Sequence, residues 1–283
     1  MTAPRRAPAP QLDAVVVGGG VIGLAAAWRL AQRAMDVVVV DPEPGRGASW
    51  AAAGLLAPVS EVHYGEEPLL SLALASAARW PAFAAEVVAA AGADVGYRDS
   101  GTLIVAADDG DRAWAAELHR FQVQLGLEAQ WLSGRDARRR EPALSPGVRG
   151  AIWVAGDHQV DNRLLVEALV HAATAAGARL RRSRVGAVDC HGDGVDVALD
   201  DGAVLSARHV VLAAGCWSGD IAGLPAGAVP AVRPVKGQIL RLGPTADAPP
   251  LGTTVRGIVH GASVYMVPRG DGTVVVGATV EER

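Results

Sequence analysis

DAVVVGGGVIGLAAAWRLAQRAMDVVVVDP, residues 13–42, decides the fold. It opens on a short apolar run (13–17), breaks at Gly18-Gly19-Gly20 and continues as a small-residue helix to about Arg33. A second apolar run, Val37 to Val40, then ends in Asp41-Pro42. Strand, helix and strand within about 30 residues is the size of one βαβ unit. Both runs are continuously apolar rather than alternating, which predicts strands buried on both faces of a parallel sheet. The pattern Gly18-x-Gly20-x-x-Gly23 falls where the first strand meets the helix. There Gly18 suits a tight turn, Gly20 the close approach of a pyrophosphate, and Gly23 the packing of helix on strand. The helix N-terminus, with free N–H groups and partial positive charge, faces the phosphates. Asp41 ends the second strand, where a carboxylate accepts hydrogen bonds from ribose hydroxyls and repels a 2′-phosphate. With both strands and the acid in place, a ligand-free glycine turn is the weaker reading. The fingerprint alone leaves FAD and NAD open.

Composition narrows the class. The 283 residues are 50% hydrophobic and 20% charged with formal net charge −4, which excludes a disordered chain. No basic cluster points to nucleic acid. Cys190 and Cys216 form no C-x-x-C or metal pattern, and two isolated thiols suggest a reducing, cytoplasmic compartment. No run reaches 18 apolar residues without a charge, so no transmembrane helix and no membrane partner is expected. The seven histidines (63, 119, 158, 171, 191, 209, 260) show no paired-ligand spacing, and no metal is expected. Ser49 and Ser218 lack a nucleophile elbow, which removes support for hydrolase chemistry. Arg138-Arg139-Arg140 reads as a solvated helix face.

Beyond residue 42 the chain reads as a helical stretch from Glu66 to Gly92, a strand over 97–107 and a helix from Asp111 to Leu125. Asp161 caps a helix whose Leu165, Ala168, Leu169, Ala172 and Ala176 face inward. Val195, Val197 and Leu199 alternate before an Asp201-Gly202 turn and a return strand at Leu205. His209 to Ala214 is a further buried-type run, and 264–269 with 273–280 forms a hairpin around Gly270-Asp271-Gly272. The predicted fold class is α/β: a Rossmann-like domain with a parallel central sheet, plus a substrate domain with a mixed or antiparallel sheet and helices. Residues 12–80 and 150–222 are assigned to the first, 81–149 and 223–283 to the second, and 1–11 to a flexible tail.

Five stretches carry a resemblance: GGGVIGLAAAWRLA (18–31), GASWAAAGLLAP (47–58), VVLAAGCWSGDI (210–221), RPVKGQILRL (233–242) and YMVPRGDGTVVVGATVE (265–281). Together they resemble the glycine oxidase family, within the wider D-amino acid oxidase group of flavoproteins, over most of 13–281. The resemblance implies FAD as cofactor. It places Val21 and Ile22 at the pyrophosphate, Asp41 and Pro42 at the ribose, and Ala48 and Ser49 near the phosphates. The family more often has Glu where Asp41 stands. Ala53, Gly54 and Leu55 match the segment beside the flavin ring, Val185 the position meeting the adenine, and Gly215 a strand end packed near the cofactor. Without the resemblance, 47–58 also reads as a flexible small-residue loop.

The resemblance implies hydride loss from an amino acid α-carbon to the flavin, an imine product, and reoxidation by O2 with release of H2O2. For glycine the product is glyoxylate or its imine, feeding thiazole synthesis for thiamine. A D-amino acid or sarcosine-type flavoenzyme, or a flavin-binding protein without turnover, stays open, as does a homo-oligomer. Tyr265 matches a substrate-pocket tyrosine whose hydroxyl could bond a carboxylate; its other reading is a strand tyrosine packing on a neighbour. Trp217 is expected near the cofactor. Family chains continue past the hairpin into a glycine–arginine–proline motif, whose arginine binds the substrate carboxylate, and a second glycine-rich stretch. Arg233, Arg256 and Arg269 are cations near the expected site, yet none stands at that position. The 283 residues are therefore expected to be a truncated enzyme with little oxidase activity.

Overall fold

The computed structural model describes residues 11–245 and 250–282. The tail expected over 1–11 lies outside them except for Gln11. In chain order the first elements are β1 (Leu12–Val17), α1 (Val21–Ala31), β2 (Val37–Val40), α2 (Ala48–Ala51) and β3 (Leu55–Leu56). Next come α3 (Glu67–Ala77), α4 (Trp80–Ala91), β4 (Thr102–Ala106), α5 (Asp109–Gln124), β5 (Gln130–Ser133) and α6 (Gly134–Arg140). They are followed by β6 (Gly150–Val154), β7 (His158–Gln159), α7 (Asn162–Ala175), β8 (Arg179–Arg181) and β9 (Val185–His191). The last are β10 (Gly194–Leu199), β11 (Val204–Leu212), β12 (Leu240–Leu242), β13 (Thr254–Val259), β14 (Ala262–Pro268) and β15 (Val274–Gly277).

Contacts divide the chain into two units, each made of separate pieces. The first takes residues up to Ala52, Val87–Ala93 and Arg163–Pro234; the second takes Ala53–Glu86, Asp94–Asn162 and the chain from Val235. These borders differ from the expected 80, 149 and 222. The reason is strand pairing: β3 and β7 form their own ribbon and β6 joins the second unit's sheet, so 53–86 and 150–162 belong there.

The first unit's sheet has the order β8-β2-β1-β11-β10-β9. Strands β8, β2, β1 and β11 run parallel; β10 and β9 are antiparallel additions. Val15, Val16, Val37 and Val39 have no exposed surface, as the continuous valine runs predict for a sheet covered on both faces. Helix α1 packs on β1, β2 and β11 through Leu24, Ala27, Trp28 and Ala31. The return strand at 205 and the run from 209 belong to one strand, β11, which ends at Leu212; its Val204–Ala207 half pairs with β10 and its Ala207–Leu212 half with β1. Where full burial was expected, His209 is exposed and Val210, Val211 and Leu212 are half-buried. In α7, Leu165, Ala168, Leu169 and Ala172 are buried as expected; Ala176 is half-buried just past the helix end.

The second unit's seven-stranded sheet has the order β12-β15-β14-β13-β4-β6-β5, antiparallel except for β13 beside β4. The hairpin β14–β15 turns at 270–272, where Arg269 N–H donates to Thr273 O (2.8 Å). The strand expected over 97–107 is confined to β4, because Gly101 at φ +70° breaks the extended run; Arg98 instead bridges to Gln159. The helical stretch 66–92 is two helices bent by 46°. Pro81, in the first turn of α4, has no N–H to continue the preceding turn. Among the described residues no single helix is long and apolar enough to cross a membrane; α3 and α4 pass such a test only as a bent pair.

Helix α5 starts two residues before the expected Asp111, on a reciprocal box in which Asp108 and Asp111 each accept from the other's backbone N–H. His260 joins them, and the three side chains approach within 4.8 Å. Asp111 Oδ2 already accepts from Ala107, Asp108 and His260 N–H, so helix capping accounts for the cluster. Arg139 and Arg140 of α6 are exposed, as a solvated arginine face requires, and Arg138 is half-buried. Arg140 lies 4.0 Å over the Trp153 ring, Arg138 donates to Pro146 O, and Arg139 pairs with Asp136 at 2.8 Å.

Candidate functional site

The glycine loop joins β1 to α1 because each glycine meets something a side chain would strike. Gly18 has φ +104°, and a Cβ there would fall 2.3 Å from Ala213 O. A Cβ at Gly23 would fall 1.9 Å from Gly18 O, so the helix could not close on the strand. Gly20 differs. It has φ −75°, and its Cβ would meet only Ser49 Oγ, at 3.2 Å. Gly20 therefore keeps space open at the mouth of α1, where Val21 is half-buried and Ile22 exposed. First-turn N–H groups of a helix have no partner within it. Here Ser49 Oγ accepts from Val21 N–H at 3.0 Å, which sets its hydroxyl at the mouth of the helix.

Asp41 organises the loop from the end of β2. Its Oδ2 accepts from Gly19 N–H and its Oδ1 from Glu43 N–H, both at 2.7 Å. The carboxylate expected to read ribose thus also fixes the glycine loop, and each oxygen keeps a second lone pair. Pro42 follows, exposed. Ala48 is the exposed first residue of α2. Arg46 and Arg163 stack on the Trp50 ring at 3.9 and 4.3 Å. Trp217 lies beside Gly47, since a Cβ on that glycine would stand 3.6 Å from its ring. Val185 is buried at the start of β9, and Gly215 opens the short 3-10 turn after β11 with φ +59°. These residues all belong to the first unit and gather around the β1, β2 and β11 ends, save Val185, which starts the sheet's outermost strand.

Ala53, Gly54 and Leu55 belong to the second unit. Ala53 is buried; Gly54, at φ +71°, approaches Val160 so closely that a Cβ would fall 2.0 Å from its carbonyl oxygen. Leu55 pairs with Gln159 in the β3–β7 ribbon. The segment is anchored backbone rather than the flexible loop its small residues also suggest. Tyr265 packs with it: Ala53, Leu55, Ile239, Val267, Val275 and Tyr265 form one apolar cluster. The ring leans over Gly277, where a Cβ would fall 2.5 Å from the Tyr265 hydroxyl. Burial, then the Glu61 carboxylate, push the Tyr265 phenol above its ordinary value, so it stays a protonated donor at neutral pH.

The arginines named from sequence separate. Arg269 is buried, and its two terminal nitrogens donate to four acceptors. Arg256 stands directly across from Tyr265 in the β13–β14 register and donates through Nη1 to Glu61 Oε1 (2.8 Å) and Ser60 Oγ (3.3 Å). Arg233 lies in the first unit. Sequence reasoning did not reach Asp157, whose buried carboxylate accepts from Val59 and Ser60 N–H at 3.1 and 2.7 Å. Desolvation holds its pKa above the ordinary carboxylate value despite those bonds. Nor did it reach Glu61, which also lines a groove of about 270 Å³ with Pro58, His63, Leu70 and Trp80. A charged residue in the small-residue run after Pro58 was the available signal.

The residues present suit a dinucleotide: a helix mouth kept open by Gly20, a hydroxyl beside it, and a carboxylate at the second strand end. Comparisons agree. Residues 13–283 match the family model described as DAO, FAD dependent oxidoreductase. Glycine oxidase from Geobacillus kaustophilus is 35% identical over 270 residues, covering 94% of this chain and 70% of the relative. Its crystal structure superposes with a TM-score of 0.86 at 33% identity, covering 95% and 71%. The bifunctional protein ThiO/ThiG of Synechocystis sp. is 33% identical over 95% of this chain. The chain spans only 39% of that relative's length. Iminodiacetate oxidase from Chelativorans sp. BNC1 superposes with a TM-score of 0.80 at 26% identity, covering 95% and 72%. The chain belongs to the DAO family of FAD dependent oxidoreductases.

Proposed function

We propose that this protein is an FAD-dependent oxidase of glycine or a similar small amine, serving thiazole synthesis for thiamine in the cytoplasm. The observation that carries the cofactor half is the open helix mouth at Gly20, beside a carboxylate that orders the loop from Gly19. Gly20, Val21, Ile22, Ala48 and Ser49 would hold the pyrophosphate with backbone N–H groups and one hydroxyl. Asp41 with Pro42 would receive the ribose, Val185 the adenine, and Gly215 would close beside the cofactor. Ala53, Gly54 and Leu55 would run along the ring system. FAD, when bound, supplies the acceptor for a hydride from the substrate α-carbon, and O2 takes both electrons on to H2O2.

The substrate half rests on Tyr265. Its phenol stays protonated and sits beside Ala53 and Leu55, so it would offer a hydrogen-bond donor to a substrate carboxylate. The apolar cluster around it would place a substrate's small side chain against Leu55, Ile239 and Val267. The similarity to enzymes named glycine oxidase supports the same substrate class. The test is a panel of glycine, sarcosine and D-alanine offered to the FAD-loaded, full-length protein and scored by peroxide release. Saturable peroxide formation with glycine or another small amine is the expected result. FAD bound without peroxide from any of the three would show a flavin binder without this activity.

A further inference from the structure

Arg269 directly follows β14, yet its guanidinium is buried, with the residue 6% exposed. Nη2 donates to Ala53 O at 2.7 Å and to Asn162 Oδ1 at 3.1 Å. Nη1 donates to Val160 O at 2.9 Å and to Gln159 Oε1 at 3.3 Å, and Nε stands 3.5 Å from Asp161 Oδ2. One planar fork thereby ties three separate stretches of backbone: Ala53, residues 159–162 and the hairpin itself. The ties converge on one place. Val160 N–H donates to Gly54 O at 2.9 Å, and Leu55 pairs with Gln159 in the next step of the ribbon. Arg269 thus holds both sides of the Ala53–Leu55 segment. A buried cation surrounded by neutral carbonyl and amide oxygens, with one carboxylate at its edge, is spent on geometry and not on binding an anion.

We propose that Arg269 is the positioning residue that fixes the Ala53–Leu55 backbone against the isoalloxazine of FAD. This rests on the reading that Ala53–Leu55 lies beside the ring. A lysine keeps the charge but cannot span acceptors on both sides of the fork. The control is Glu141→Gln. Glu141 is equally buried in the same unit, but its Oε2 accepts from Gly252 and Thr253 N–H at 2.8 and 3.1 Å, away from the segment.

Arg269→Lys and Glu141→Gln are compared with the parent by amide hydrogen exchange without FAD, then by visible circular dichroism and affinity with FAD added. Arg269→Lys is expected to speed exchange at Leu55, Gln159 and Val160 at least tenfold. It should also reshape the flavin dichroism and weaken FAD binding at least fivefold. Glu141→Gln should lower the melting temperature while leaving both readouts at the parent's values. Unchanged exchange in Arg269→Lys would overturn the anchoring role. Faster exchange with parental dichroism and affinity would keep the anchor but overturn its bearing on FAD, and with it the placement of Ala53–Leu55. A parent that binds no FAD would instead sink the cofactor reading itself. Should Arg269→Lys not fold, Asn162→Ala removes one acceptor and is expected to move the same readouts in the same direction, less far; no movement would overturn the proposal.

Discussion

Gly20→Val separates ligand binding from folding at the glycine loop. Gly20 has φ −75° and ψ −179°, a conformation open to any residue, so the substitution carries no backbone strain. The new Cβ meets only Ser49 Oγ, at 3.2 Å, the end of a side chain that can rotate away. Rotation gives up the 3.0 Å bond from Val21 N–H, which costs the fold about 1 kcal/mol. The cost to FAD is larger. Two γ-methyl groups would fill the space at the helix mouth and push a pyrophosphate off at least two N–H donors. At roughly 1.5–3 kcal/mol for each charge-assisted bond, the loss is about 3–6 kcal/mol, or on the order of 10²–10⁴ in affinity. Flavin fluorescence quenching on titration reads the affinity, and a thermal melt without FAD reads the fold. A folded Gly20→Val protein that retains parental FAD affinity would refute the placement of the pyrophosphate at Gly20.

Other substitutions test neighbouring claims. Gly23→Ala puts a Cβ 1.9 Å from Gly18 O, so it should destabilise the apo fold by about 2–3 kcal/mol in urea unfolding; an unchanged midpoint would contradict the close packing. Asp41→Ala should weaken FAD binding by roughly 1.5–3 kcal/mol, with Asp41→Asn in between, and a change below about twofold would remove Asp41 from ribose recognition. Asp157 is an acid whose folded pKa is raised, so the folded state holds its proton more tightly than the unfolded chain. Its stabilising contribution is full below the ordinary carboxylate pKa and is lost as pH rises through the raised value. The stability of the parent relative to Asp157→Asn should therefore fall as pH climbs from about 4. A difference that is flat with pH, or that rises, would contradict the burial of this carboxylate.

The glycine loop and both valine strands were legible because their signals are local. Strand, turn and helix chemistry between Val15 and Asp41 needs no distant partner, and the structure places β2 over the expected residues. The break in the helix at 66–92 was also local, but Pro81 stands within one turn of its start, where proline is tolerated and does not stand out. What escaped depends on distance along the chain. Arg269 meets Ala53, 216 residues away, and Asn162, 107 away. Glu141 meets Thr253 at 112, and Arg256 meets Glu61 at 195. Composition says that buried charges need partners; only the fold says which partners these are. Arg269 illustrates the difference, having passed in the sequence for a cation near substrate when its guanidinium is consumed by carbonyls.

Anaerobic mixing of the FAD-loaded, full-length protein with glycine, followed at the flavin absorbance band near ~450 nm, tests the central claim most directly, since it isolates hydride transfer from oxygen chemistry. The account predicts bleaching whose rate saturates with glycine concentration, and stoichiometric peroxide when O2 is readmitted. A flavin that is bound yet stays oxidised through the whole series of glycine, sarcosine and D-alanine would contradict it.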